Sequence, residues 1–305
     1  MKLLLAGTLF YCLAFILKPT CAGAMEIAQV EALYRMENLL GVKLAVDKAV
    51  QPSTDVDKTA ATIARMAAEV WSLAGDTPGD MEKLAALRRY LYESGPWNDE
   101  RPFQYDQEDP LGEKPENRVL ERYLTTRRGN CITMPILFLA IGQRLGLRMA
   151  LAEAPLHVFL KYTDQSGKAW NIETTSGGGF TRDVWYREKL PMSDEAVANG
   201  VYLRPLSDEE GISLVASFLI EDRLLQDDFE GAIAISDVLL RHYPNFAYGW
   251  VKRGSAYAGL LRREVAGKYV RVEDIPPDLR SKADHWYREN KAAFSRAEAL
   301  GWLPQ

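Results

Sequence analysis

The sequence predicts an α+β fold, with a buried central helix packed on a small antiparallel sheet and an α-helical repeat domain after it. Three observations carry this. The run "CITMPILFLAIGQRLGL", Cys131 to Leu147, is apolar on nearly every face, which marks a helix surrounded by protein. The stretches "LHVFLKYT" and "KAWNIETT" are short, rich in β-branched and aromatic residues, and separated by the turn sequence "DQSG", Asp164 to Gly167, so they form a β-hairpin. Beyond about Ser207 the apolar spacing is helical, and small and aromatic residues recur at an offset of about 34 residues.

The chain opens with "MKLLLAGTLFYCLAFILKPTCAGA". Lys2 precedes an apolar run, Leu3 to Leu17, and Ala22-Gly23-Ala24 supply the small residues that a signal peptidase accepts. Residues 1–24 are thus expected to be a cleavable signal, and the mature protein to be exported, periplasmic or secreted, from Met25 onward. The run is short for a membrane anchor, which needs about 20 residues. Lys18 and Pro19 stand where a lipoprotein signal would want small apolar residues ahead of Cys21. Cys12 and Cys21 would leave with the signal, and Cys131 would be the single cysteine of the mature chain. An unpaired thiol in a compartment that permits disulfides is either a buried hydrophobe or a group in use.

Hydrophobic residues are 47% and charged residues 26% of the sequence, the balance of a soluble globular protein. Loss of Lys2 and Lys18 takes the formal charge from −5 to −7. A mildly acidic chain with no basic run argues against nucleic-acid binding. No later apolar stretch is long enough to span a membrane. The remaining residues, about 280, suffice for two domains that each bury a core.

The elements follow in order. Residues 25–54 form an N-terminal helical segment, 55–205 the α+β domain and 206–305 the helical domain. "TAATIARMAAEVWSLA" and "DMEKLAALRRYLYES" carry apolar residues three and four apart; Asp80 is placed to cap the second helix and Gly95-Pro96 to end it. "WNDERPFQYDQEDPLGEKPEN", Trp97 to Asn117, is rich in Pro, Asp and Glu and reads as a surface loop. "ENRVLERYLTT" is a short helix leading to the central one. In the last region "GAIAISDVLLRHYP" resembles the second helix of a tetratricopeptide unit, with Ala232 and Pro244 in place. "WVKRGSAY" resembles the first helix of the next unit, through Trp250, Gly254 and Tyr257. "AAFSRAEALG" supplies Phe294 and Ala297 for its second helix after an insertion of about 24 residues. So few repeats are expected to pack on the middle domain.

The chemistry gathers at the start of the central helix. Asn130 is a good N-cap, and Gly129 allows a sharp approach. Cys131 then falls in the first turn, where the helix dipole and free N–H groups favour a thiolate, with Arg127 and Arg128 adding positive potential. Pro135 lacks the N–H that would bond back to residue 131, so this turn is either distorted or begins later. A thiolate nucleophile needs a proton acceptor, and the acceptor needs an orienting group. His157 opens the first hairpin strand; His242 and His285, in the helical region, read as packing or solvated residues. In a hairpin turned at Asp164–Gly167, His157 and Glu173 lie at the same open end. Asn171 shares a strand face with Glu173 and is a second candidate partner for the imidazole. His157 alone would be an ordinary structural histidine, and Glu173 alone a surface carboxylate. Cys131, His157 and Glu173 are also plausible zinc ligands, but no CxxC or HxxxH pair accompanies them, so neither a metal nor a cofactor is expected.

"RRGNCITMPILFLAIGQRLGL", "LHVFLKY" and "WNIETT" together resemble the transglutaminase-like (papain-like) cysteine-hydrolase core, in particular a bacterial branch with "RRGN" before the central helix and helical repeats after the core. "MEKLAALRRYLYE" and "FQYD" resemble the helix and short strand that precede the cysteine, and the likeness covers about Asp55 to Arg187. The resemblance implies Cys131 as nucleophile, His157 as base and Glu173 as orienting acid, where the superfamily usually has aspartate. Asn130, Asn171 and Arg128 would support them. It implies acyl transfer from a peptide or protein amide, resolved by water or by an amine, with the Cys131 backbone N–H as one oxyanion donor. The glycines of "TTSGGGF", Thr174 to Phe180, serve either close approach of substrate or a flexible turn. The same branch includes members without the cysteine. The competing expectation is therefore an inert scaffold whose repeats grip a peptide or protein partner.

Overall fold

A computed structural model describes residues 25–304. The predicted signal segment, with Cys12 and Cys21, lies outside the described residues. The chain begins with α1 (Ile27–Leu33) and α2 (Leu39–Val50), the latter capped by Asn38, whose side chain accepts the Gly41 N–H at 2.9 Å. Next come α3 (Val56–Ala74) and α4 (Asp80–Tyr92), where the sequence spacing puts them. Asp80 does not cap α4. Gly79 holds the cap position, and Asp80, as the first helical residue, accepts the Tyr162 hydroxyl at 2.8 Å.

The segment after α4 is mostly irregular, but it contains β1 (Gln104–Tyr105). After α5 (Leu120–Thr126) the chain enters β2 (Arg128–Gly129), which pairs with β1 in parallel. Arg127, between them, ends α5 in the left-handed conformation, φ 58°. The central helix, α6 (Thr133–Arg144), starts two residues after Cys131 rather than around it. Pro135 gives the reason. It has no N–H to return to the carbonyl of residue 131, so the helix starts at Thr133, where a proline falls in the first turn and no intrahelical bond is lost. Leu137, Phe138 and Ile141 are wholly buried, as the all-round apolar pattern requires.

α6 packs on α3, α4 and a four-stranded antiparallel sheet of β3 (Met149–Ala154), β4 (His157–Thr163), β5 (Ala169–Glu173) and β6 (Gly179–Thr181), in that order. The predicted hairpin is its central pair, with Gly167 N–H closing the turn on the Asp164 carbonyl at 3.0 Å. β3, "MALAEA", carries no β-branched residue. It is a strand because α6 covers it and because the Leu203 and Leu206 amides donate to its outer carbonyls, on Glu153 at 3.0 Å and Leu151 at 2.8 Å. Gly177 and Gly178, both left-handed, turn the chain from β5 into β6; a Cβ on Gly178 would lie 2.9 Å from the Phe138 ring. Alternation divides the strands. Leu151, Leu160 and Ile172 join the core around α6, whereas Ala152, Ala154 and Phe159 join a second, smaller core with Tyr186.

α7 (Asp183–Lys189) and α8 (Asp194–Ala198) cover that second core. α9 (Asp208–Leu225) then opens with a capping box between Ser207 and Glu210, and α10 (Phe229–His242), α11 (Ala247–Glu264) and α12 (Pro277–Ala299) pack each on the one before. The inserted sequence between the repeat-like segments is mostly helix: α11 runs on to Glu264, and α12 starts at Pro277. Gly254 meets Phe294 across the α11–α12 contact, where a Cβ would lie 2.8 Å from the ring. The helical block is not free-standing. α1 packs on α10 and α2 on α9, and one apolar core runs from Val30 through α6 to Leu260. No described helix is long and apolar enough to cross a membrane.

Candidate active site

Cys131 lies in the turn between β2 and α6. Asn130 builds that turn. Its Oδ1 accepts the N–H groups of Ile132 at 3.1 Å and Thr133 at 3.0 Å, its own N–H donates to Thr133 Oγ1, and its Nδ2 donates to the Asn117 carbonyl at 3.0 Å. The side chain thus does a cap's work for a helix that begins later than the sequence suggests. A Cβ on Gly129 would lie 2.5 Å from the Tyr123 ring, so a larger residue there would force the ring to move. The Cys131 side chain is nearly enclosed, at 3% exposure, and its Sγ faces the Leu156 carbonyl at 3.8 Å. Its backbone N–H is not free. It donates to the Pro110 carbonyl oxygen at 3.2 Å, and the Tyr105 hydroxyl donates to the same oxygen at 3.3 Å. Burial, followed by the nearby Cys131 and Glu173 charges, pushes the Tyr105 hydroxyl up to about 12.

His157 follows the two-residue link Pro155-Leu156, in which Leu156 is left-handed at φ 53°, an uncommon conformation for a residue with a branched side chain. The His157 Nε2 lies 2.7 Å from Glu173 Oε2, which leaves Nδ1 for the thiol side. Burial disfavours the imidazolium, but hydrogen bonds to Cys131 and Glu173 and their negative charge outweigh it and raise His157 to about 9. Glu173 is almost fully buried and saturated with donors: the Tyr186 hydroxyl also reaches Oε2 at 2.8 Å, and the Thr175 N–H and hydroxyl reach Oε1 at 2.9 and 2.6 Å. Burial alone would raise this carboxyl; His157, Thr175 and Tyr186 together hold it below its ordinary value.

The other supporting residues sit elsewhere. Asn171 does not reach the imidazole; its Nδ2 donates to Asp183 Oδ1 at 2.7 Å, the oxygen that Lys161 Nζ also binds at 2.9 Å, because Asp183 opens α7 directly above that strand face. Arg128 is exposed and pairs with Glu108 at 3.9 Å, and Arg127 donates to the Asn98 and Arg101 carbonyls, so both guanidinium groups bond away from the thiol. His242 stacks on Tyr34 and His285 stands edge-on to Tyr257, as packing residues. Tyr186 escaped the sequence reading. It lies in "TRDVWYREKL", where only helical spacing is legible and nothing local ties it to Glu173; in the fold it is wholly buried and stacked on Phe159 at 4.2 Å.

Cys131 and His157 open into a cavity of about 370 Å³. One wall is the core, with Ile132 and Leu156; the opposite wall is the helical block, with Phe218 of α9 and Tyr248 of α11. Among the described residues no group of His, Cys, Asp and Glu side chains has the arrangement to hold a metal ion.

A cysteine at the approach to a buried helix, facing a histidine and a carboxylate on the adjoining antiparallel strands, is the arrangement of a transglutaminase-like core. The sequence profile of the transglutaminase-like superfamily matches residues 57–213, about half of the chain, and the protein belongs to that superfamily. Among its relatives are a UPF0162 protein of Buchnera aphidicola subsp. Schizaphis graminum, 28% identical over 153 residues, and the UPF0162 protein YchA of Escherichia coli K12, 25% identical over 167 residues. Protein SirB1 of Salmonella typhimurium is 26% identical over 171 residues. These matches cover 48% of this chain and 55% of the Buchnera protein, and 52% of this chain and 60% of each of the other two. The matched part thus spans little more than half the length of these relatives. No solved structure matches the chain.

Proposed function

We propose that this protein is an exported, cysteine-dependent acyl-transfer enzyme of the peptidase, amidase or transglutaminase type, acting on a peptide or protein amide through Cys131, His157 and Glu173. The observation that carries this reading is the 2.7 Å contact between His157 and a fully satisfied, buried Glu173, at the mouth of the cavity that holds the thiol. Cys131 Sγ, its proton already passed to His157, attacks the amide carbonyl carbon. The C–N bond breaks, and the imidazolium gives that proton to the departing amine. Water or an amine then attacks the thioester carbonyl, gives a proton to His157, and the thiol is restored as the acyl group leaves. The Tyr105 hydroxyl and the Cys131 N–H, which now converge on the Pro110 carbonyl oxygen, have the directions that an oxyanion needs. In this reading the Pro110 segment yields that position to substrate. The "RRGN" sequence and the repeat-like helices favour the bacterial branch with tetratricopeptide-like repeats. An electrophilic peptide probe library is the test: the probe should map to Cys131 by mass spectrometry and be lost in His157→Ala, and an unlabelled Cys131 overturns the proposal. Export predicts a mature N-terminus near Met25; recovery of Met1 from exported material refutes it.

A second reading, an inert scaffold that holds a protein or peptide partner through its helical block, draws on the near-enclosure of the thiol and on the occupied Cys131 N–H. Under it, Cys131 alkylates no faster than an ordinary buried thiol and His157→Ala changes nothing.

A further inference from the structure

The cavity contains an acidic group that the acyl-transfer mechanism does not use. Glu153 lies on β3 one residue before Ala154, the residue paired with His157, and it lines the same space as Cys131. One carboxylate oxygen, Oε2, accepts the Tyr243 hydroxyl at a long 3.3 Å. The other, Oε1, has no hydrogen-bond partner among the described residues. The nearest compensating cation, Arg204, spends its guanidinium on both oxygens of Glu210 at 2.6 Å. Tyr202 lines the same wall; burial and then the Glu153 charge push its hydroxyl upward, and that hydroxyl too has no hydrogen-bond partner among the described residues. A half-buried carboxylate facing a cavity with one free oxygen, beside a tyrosine ring, lacks a cation and a donor, and a basic substrate group supplies both. Glu113 and Glu221 also line the cavity, but Glu113 is exposed, and Glu221 is taken by Arg118, Tyr248 and Lys252. Burial, only partly offset by Tyr243 and Arg204, raises Glu153 to about 7, so a bound cation would draw it fully into the ionised form.

We infer that Glu153, with Tyr202, forms a subsite for a basic group on the acyl part of the substrate, so that the enzyme prefers amides whose acyl chain carries a primary amine. This rests on the proposed function, since it places the acyl chain in the cavity once its carbonyl is on Cys131. The test uses the full mature chain and two matched series of methanethiosulfonates, aminoalkyl and hydroxyalkyl, with arms of roughly two to six methylenes that scan the reach from Sγ. Each reagent forms a mixed disulfide with Cys131 and releases methanesulfinate. The readout is the ratio of amine to hydroxyl labelling rates at equal arm length, measured at about pH 8, where Glu153 is mostly ionised. Wild type should favour the amine by about tenfold at one arm length, the worth of one charge-assisted hydrogen bond. In Glu153→Gln, which keeps the side-chain shape, the ratio should fall to near one, and in Tyr202→Phe it should fall part of the way. Glu113→Gln should keep the wild-type ratio. A ratio near one at every arm length in wild type, a ratio that survives Glu153→Gln, or one lost only with Glu113→Gln overturns the subsite and leaves the acyl-transfer reading standing. Absence of labelling by every reagent overturns that reading and the subsite with it.

Discussion

His157 Nε2 and Glu173 Oε2 lie 2.7 Å apart between strands β4 and β5, with the histidine raised to about 9 and the glutamate held below its ordinary value. Each partner favours the charged form of the other, and burial opposes both. An imidazole that binds its proton more tightly in the folded state stabilises the fold fully below its ordinary pKa, about 6.5, and that contribution is lost as pH rises toward about 9. Histidine C–H resonances measured against pH should show one of the three histidines titrating near about 9 in wild type, with the midpoint moving toward the ordinary value in Glu173→Gln. Cys131→Ala should move it partway, because the cysteine is one of the groups that raise it. Three histidines that all titrate at ordinary values would remove the ion pair from the site.

Tyr186 is predicted to be a positioning residue. Its hydroxyl shares Glu173 Oε2 with His157, and it is held from behind by Phe159. Tyr186→Phe removes one donor from a buried carboxylate and should lower stability by about 1.5–3 kcal/mol. A purely structural role would stop there. A positioning role should also shift the His157 titration and lower the rate of thiol alkylation at neutral pH. A destabilised Tyr186→Phe with an unmoved His157 titration would confine the residue to packing.

The parts of this fold that were legible in the sequence are those whose signal is local. The all-apolar helix around Phe138, the hairpin turned at Asp164–Gly167 and the helical spacing from about Ser207 each announce themselves within a few residues. β3 does not, because "MALAEA" has no strand preference of its own and becomes a strand through the cover of α6 and the amides of Leu203 and Leu206. Pro135 signalled the late helix start only once its missing N–H was weighed against the cap at Asn130. The hairpin register brought His157 beside Glu173, but the same alternation suggested Asn171 as a partner, and only α7 packing above the strand reveals that Asp183 holds it. The occupied Cys131 N–H and the reach of Tyr186 depend on contacts between segments far apart in sequence, which no local pattern encodes.

The contact between α11 and α12 makes a sharp prediction at Gly254. A Cβ there would stand 2.8 Å from the Phe294 ring, and Asn290 Nδ2 donates to the Gly254 carbonyl at 2.8 Å, fixing the two helices at close range. Gly254→Leu should overpack the contact and cost about 1–3 kcal/mol, seen as a lower melting temperature. Gly267→Ala, in the open loop where a Cβ meets nothing but φ is positive, separates the two effects, since any cost there comes from the backbone alone. A Gly254→Leu protein that melts like wild type would show that the helices pack elsewhere.

If Cys131, His157 and Glu173 act as one unit, their losses should not add. Cys131→Ala should abolish amide hydrolysis with little change in fold. His157→Ala should lower the iodoacetamide labelling rate of Cys131 at neutral pH and lower acyl transfer by about 10²–10⁴-fold. Glu173→Gln should cost less than either, because Thr175 and Tyr186 still hold the side chain near the imidazole. Combining His157→Ala with Cys131→Ala should leave the same residual rate as Cys131→Ala alone. Independent, multiplying losses would mean that the three residues share a cavity but no reaction.

Tyr105 separates attack from oxyanion stabilisation. Its hydroxyl and the Cys131 N–H both point at the Pro110 carbonyl oxygen, at 3.3 and 3.2 Å, and both contacts are long for a settled hydrogen bond. If these donors turn to the oxyanion when substrate displaces Pro110, Tyr105→Phe should lower acyl transfer by about 10²-fold or more, the usual effect of one lost donor. Alkylation by iodoacetamide passes through no oxyanion, so its rate should move far less in the same variant. Opening the Pro110 segment should have the opposite signature. Gly112 is left-handed and lies against Asn130, so Gly112→Ala strains the loop and should speed the labelling of Cys131 by making the thiol easier to reach. Measured together, a Tyr105→Phe that slows alkylation and acyl transfer equally would place the tyrosine in the packing of the loop. A selective loss of acyl transfer would place it on the oxyanion.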